Sequence, residues 1–178
     1  VQVEHYIISS GVKEIIEGTE IAEHFKKIYA CEFMYDRHGT ICWPKVAINY
    51  TAKTQFLFRI NKGVLTIDSQ SADKLNQYTP EDERRVPFRN MIYIGDGLTD
   101  VPCMKLVNTN GGHSIGVYNP DTNNKERVYK MLRENPIRYF APADYSAGSE
   151  LDSLLKGIID KTATYEVLEN MHITNSYE

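Results

Sequence analysis

Apolar and polar positions along this chain follow two periods, and the switches between them mark its elements. His5 to Ile8, Ile28 to Tyr35, Met91 to Ile94, His113 to Tyr118 and Ile137 to Phe140 are short runs rich in β-branched and aromatic residues, bounded by Gly, Pro, Ser or Asn. They predict strands. Asp36-Arg37-His38-Gly39 is a hairpin-like turn after which Thr40 to Trp43 returns. Elsewhere the apolar positions recur at helical spacing. GVKEIIEG, from Gly11 to Gly18, holds Val12, Ile15 and Ile16 on one face, and TEIAEHFKKI predicts a helix capped by Thr19 and running to Lys27. TAKTQFLFRINKG predicts another, capped by Thr51 and closed by Gly63, with Phe56, Leu57 and Ile60 facing the core. SADKLNQ is a short helix, and Asp100 to Val107 is one that starts near Thr99. Asn124 to Asn135 follows, closed by Pro136, and Glu150 to Met171 is a long helix with Leu151, Leu154, Leu155, Ile158 and Ile159 on its apolar face.

Strands near residues 5, 30, 92, 114 and 138 thus alternate with helices. That alternation predicts an α/β fold, a mainly parallel sheet covered by helices on both faces. At 178 residues and 42% apolar composition the chain suits one domain, residues 1–171, followed by a flexible tail, 172–178. A net charge of −4 and no Lys/Arg stripe argue against nucleic acid as a partner. No apolar run approaches the roughly 20 residues that span a bilayer. Cys31, Cys42 and Cys103 are an odd set without CxxC spacing, each in an apolar segment, and read as reduced, buried, small hydrophobes. With no signal-peptide pattern at the amino terminus, the expected location is cytoplasmic.

The candidate chemistry begins where the Met91 strand stops. GDGLTD places Asp96 between Gly95 and Gly97, with Asp100 four residues on and a helix following. A strand, an acidic turn and a helix put carboxylates in the crevice where open α/β sheets bind ligands. Hard cations such as Mg²⁺ take oxygen ligands, often only one or two carboxylates. Ser9, Ser10 and Gly11 end the first strand, where simple turn chemistry and a functional role are both open readings. Lys53 stands in the first turn of its helix, where a cation opposes the helix dipole, so helix energetics alone do not account for it; an ordinary solvated lysine remains the other reading. His38 has no partner at ligand spacing, and Gly111, Gly112 and Gly116 are not in dinucleotide-fingerprint order.

A strand ending Ser9-Ser10-Gly11, a helix-start lysine at Lys53 and a strand ending GDGLTD, in that order, resemble the haloacid dehalogenase-like superfamily of hydrolases, in its phosphatase branch of phosphoserine phosphatase type. The resemblance covers His5 to about Lys161. It implies a three-layer α/β/α Rossmann-like core and Mg²⁺-dependent hydrolysis of a phosphate monoester on a small phosphorylated metabolite. By the same resemblance Ser9, with Ser10 and Gly11, would bind the transferring phosphoryl group and Lys53 would neutralise it. Asp96 would ligate Mg²⁺, and Asp100 would support the metal or the lysine. Such positioning and charge stabilisation carry most of the rate in phosphoryl transfer.

One departure is large. The family's first motif, DxD, supplies the aspartate nucleophile and acid/base, and no DxD occurs in these residues. The expectation is therefore a carboxyl-terminal part of a longer phosphatase, lacking the first, central strand and the cap, and inactive alone. The gap in the sheet predicts either a rearranged strand order or self-association through the open edges. A non-catalytic binding or regulatory module on the same fold is the alternative, and a receiver-like domain is disfavoured because its acids cluster after the first strand.

Overall fold

The computed structural model describes residues 1–134 and 136–176. The chain divides into two compact units, Gln2–Pro87 and Phe88–Glu178 with Val1. It is mixed α/β, with two three-stranded sheets, one in each unit.

In the first unit β1 (His5–Val12) pairs in parallel with β2 (Phe25–Tyr35), which pairs antiparallel with β3 (Ile41–Val46). The sheet order is β1-β2-β3, so β1 is an edge. The short helix α1 (Lys13–Glu17) follows β1, while α2 (Lys53–Lys62) and α3 (Ser69–Asn76) complete the unit. Its core holds Ile28, Tyr29, Phe56, Leu57 and Ile60, with the Tyr29 and Phe56 rings stacked at 4.6 Å.

Several boundaries differ from expectation. The helix expected from Thr19 to Lys27 is a 3-10 turn, Glu20–His24, and β2 begins at Phe25. Pairing of Phe25 with His5 recruits the FKKI segment into the ladder, where long-range hydrogen bonds outweigh its weak helical pattern. Thr51 does not cap α2. Asn49 does the local work instead, its Oδ1 accepting from the N–H of Thr51 and of Ala52 at 3.1 and 2.9 Å. Gly63 closes α2 as expected, at φ +75°. The cysteines are free, but only Cys103 is buried; Cys42 is exposed and Cys31 half-buried. Cys42 lies on β3, an edge strand exposed along most of its length.

In the second unit β4 (Ile92–Gly95), β5 (His113–Tyr118) and β6 (Tyr139–Pro142) form a parallel sheet in that order. Helix α4 (Val101–Thr109) packs on β4 and β5, α5 (Glu126–Arg133) on β5, and α6 (Glu150–Ser176) on β6. β5 is central and buried at every position, as a parallel strand covered on both faces is. Ile115, Val117, Ala141, Leu151 and Ile158 form the core cluster. Helix α6 runs past Met171 to Ser176; the last part of the expected tail, 177–178, lies outside the described residues, as does Asn135 at the expected end of α5. A single, mainly parallel sheet lacking its central strand was the expectation. Hydrogen bonding instead gives two, with β1 and β4 each at an edge of its own.

His113 gives the second unit a pH dependence. It is buried at the start of β5, its ring lies 6.1 Å from that of Tyr139, and its Nδ1 has no hydrogen-bond partner. Burial, followed by the charges of Lys161 and Arg138, holds its pKa below the ordinary 6.5. As pH falls through that value the unfolded chain takes up a proton that the folded chain refuses. Stability therefore decreases from there down to the folded-state pKa and levels off below it. His113→Gln is expected to flatten the fall in urea midpoint between about pH 7 and pH 5, by at most about 1.4 kcal/mol per pH unit. An unchanged profile would contradict this.

Candidate functional site

The acidic turn is built within the second unit. β4 stops at Gly95 because the chain must turn sharply between the strand and the 3-10 turn Leu98–Asp100, which leads directly into α4. Gly97 caps that turn in extended conformation, and the N–H of Asp100 donates to its carbonyl at 3.0 Å. Pro102 stands in the first turn of α4, where a missing N–H costs no helical bond.

The result folds Asp100 back over the strand end. An added Cβ at Gly95 would lie 2.8 Å from Cβ, Cγ and Oδ2 of Asp100, and one at Gly97 would lie 3.9 Å from the same Oδ2. The Asp100 carboxylate therefore lies against Gly95, the first of the two glycines that flank Asp96. Asp100 is only 6% exposed. Its Oδ1 accepts from the Tyr93 hydroxyl at 2.8 Å, and Cys103 lies beside the same tyrosine. Burial, with the neighbouring Cys103 and Asp100, pushes the Tyr93 hydroxyl far above its ordinary pKa, so it stays a donor. Asp96, by contrast, is exposed, and among the described residues no donor or cation is bound to its carboxylate.

The carboxyl ends of β4, β5 and β6 lie on one rim of the parallel sheet. The segment after β6 brings Tyr145 to that rim. Its loop is tied down by Asp144, whose Oδ1 accepts from the N–H and hydroxyl of Ser146 at 3.0 and 2.6 Å and whose carbonyl accepts from Ser149 at 2.7 Å. Partial desolvation and the negative charge of Asp96 raise the Tyr145 pKa.

The other candidates lie in the first unit. Ladder pairing between β1 and β2 is interrupted between Ile8 and Val12, and Ser9, Ser10 and Gly11 form the irregular stretch. Ser9 is half-buried and its Oγ accepts from the Gly11 N–H at 2.9 Å, a local turn bond. Lys53 is the first residue of α2. At 7% exposure it is not a solvated surface lysine. The structure thus joins Asp96 with Asp100 around one turn, and holds Ser9, Ser10, Gly11 and Lys53 in a unit where α2 packs on β1.

Among the described residues no group of three or more His, Cys, Asp or Glu side chains is arranged as a metal cage. Mg²⁺ does not require one, since it keeps several waters and binds through one or two carboxylates. The oxygen donors of Asp96, exposed at a strand end, and Asp100, pressed against Gly95, fit that ion. Sequence patterns did not single out Tyr93 or Tyr145. Tyr93 was hidden in an apolar strand run and Tyr145 in a loop, and the only available signal was that a buried tyrosine hydroxyl usually needs a partner.

No helix of the described residues is long and apolar enough to cross a membrane. No known family's sequence profile matches the chain. An uncharacterized protein of Borreliella burgdorferi is 30% identical over 164 residues, a match covering 84% of this chain and 55% of the relative. The chain accordingly spans about half the length of the curated relative it matches.

Proposed function

We propose that this chain is part of a Mg²⁺-dependent phosphate monoester hydrolase of the haloacid dehalogenase-like superfamily, acting on a small phosphorylated metabolite. The observation that carries the reading is the GDGLTD turn, in which an exposed Asp96 sits between two glycines and the buried Asp100 carboxylate packs against the first of them, Gly95. The low exposure of Lys53 at the start of α2 supports a role beyond solubility. In this reading the fold is a three-layer α/β/α Rossmann-like core whose first strand comes from outside this chain. The open edges of β1 and β4 are each of the kind such a strand fills.

Ser9 donates its hydroxyl to the transferring phosphoryl group, with the Ser10 and Gly11 backbone beside it, and the Lys53 ammonium balances the charge on the equatorial oxygens. Asp96 holds the cation and Asp100 supports it. When bound, Mg²⁺ neutralises charge on the phosphoryl oxygens. The nucleophilic aspartate and its acid/base partner lie outside this chain, which is inactive by itself, and the setting is cytoplasmic.

Binding of Mn²⁺, a spin-active substitute for Mg²⁺, tests the metal half by electron paramagnetic resonance. Asp96→Asn is expected to weaken binding at least about tenfold; affinity equal to the parent chain would refute it. For the catalytic half, the coding sequence upstream of Val1 is expected to encode a DxD motif. Its absence would favour a non-catalytic metal-binding module.

A further inference from the structure

One buried polar group that phosphoryl-transfer chemistry leaves unassigned is the Tyr93 hydroxyl. We infer that Tyr93 is a positioning residue of the acidic turn, fixing Asp100 in the one orientation that keeps its second carboxylate oxygen against the backbone around Asp96. This rests on the metal-binding reading of Asp96 and deepens it.

Two residues of β4 bear on Asp100. Tyr93, 9% exposed on β4, donates to Oδ1 at 2.8 Å. Gly95, two residues further along the same strand, presents its bare α-carbon to Cβ, Cγ and Oδ2. Residues two apart on a strand face the same side, so a single strand face supplies both the donor and the gap. With Oδ1 engaged by the phenol, Oδ2 is the oxygen against Gly95 and within 3.9 Å of the Cβ position of Gly97.

Cys103 strengthens the device. It is fully buried in the first turn of α4 beside the same tyrosine, so the phenol sits where the strand, the acidic turn and the helix meet. A hydroxyl donating to a buried carboxylate is a charge-assisted bond, stronger than one between neutral groups. Phenylalanine at this position would fill the same space in an apolar strand run. A ring needed only for packing would not require the hydroxyl.

Mn²⁺ affinity and thermal stability are measured separately on the whole chain, for the parent and for Tyr93→Phe, Asp100→Asn, the double variant and Asp96→Asn. Tyr93→Phe is expected to weaken Mn²⁺ about tenfold, the usual effect of removing a group that orients a metal-site carboxylate. The double variant is expected to bind no worse than Asp100→Asn alone, because the hydroxyl acts only through that carboxylate. Parent-like affinity in Tyr93→Phe, with Asp100→Asn weakened, overturns the inference and leaves the metal reading standing. Parent-like affinity in Asp96→Asn overturns the metal reading itself. If Tyr93→Phe does not fold, the parent chain labelled with ¹³Cζ-tyrosine decides. Mg²⁺ is expected to shift the Tyr93 resonance in the parent but not in Asp100→Asn, and no shift in the parent overturns the inference.

Discussion

Gly112→Ala is expected to cost about 3 kcal/mol or more, the upper end of what overpacking does and beyond it. An added Cβ there would run into the Phe88 carbonyl oxygen and lie 2.6 Å from Val107 Cγ1 and 2.9 Å from the Met91 carbonyl oxygen. Two of these three neighbours are backbone atoms that cannot swing away. They are also already engaged, since the Gly112 N–H donates to Val107 and the His113 N–H to Met91, both at 2.9 Å, while the Met91 N–H donates to Phe88 at the same distance. The substitution thus pushes against the link that carries α4 into the central strand. A urea midpoint lowered at unchanged m-value is the expected result. Stability within about 0.5 kcal/mol of the parent, as for an ordinary surface substitution, would contradict the argument.

Gly95→Ala is expected to separate stability from metal affinity. Its Cβ would sit 2.8 Å from three atoms of Asp100, a side chain already hydrogen-bonded to Tyr93. Relief requires breaking the Tyr93 bond or moving the acidic turn. The expected loss is about 1–3 kcal/mol of stability, together with a fall in Mn²⁺ affinity of about tenfold or more. Gly97→Ala is the matched control, because its nearest neighbour is Thr99 Oγ1 at 3.6 Å and there is room for the methyl. If Gly95→Ala and Gly97→Ala bind Mn²⁺ equally well, the packing of Asp100 against Gly95 has no part in metal binding.

Much of the fold was readable from local pattern. The β5 run, His113 to Tyr118, is the central strand of its sheet, and the periodic leucines and isoleucines of α6 pack on its core. Gly63 ends α2 in the left-handed conformation that its position suggested. The errors fell where a distant partner decided the outcome. FKKI joined β2 because β1 supplies a ladder for it. Cys42, in a segment as apolar as that of Cys103, is exposed because β3 is an edge strand, whereas α4 carries Cys103 into a core. A residue's own segment does not reveal which of its faces another layer will cover.

For the candidate site the division is similar. The sequence by itself determined that two carboxylates four residues apart would stand in a glycine turn between strand and helix, because strand periodicity, glycine and the following helical pattern are all local signals. It also marked Lys53 as a cation that helix energetics do not favour. Only the tertiary structure decided that Asp96 faces solvent while Asp100 is buried, that Gly95 lacks a side chain because Asp100 occupies its place, and that Tyr93 holds Asp100 there. The reason is that burial and side-chain hydrogen bonding depend on which atoms other segments bring within about 3 Å, and the order of residues along the chain does not encode that distance locally.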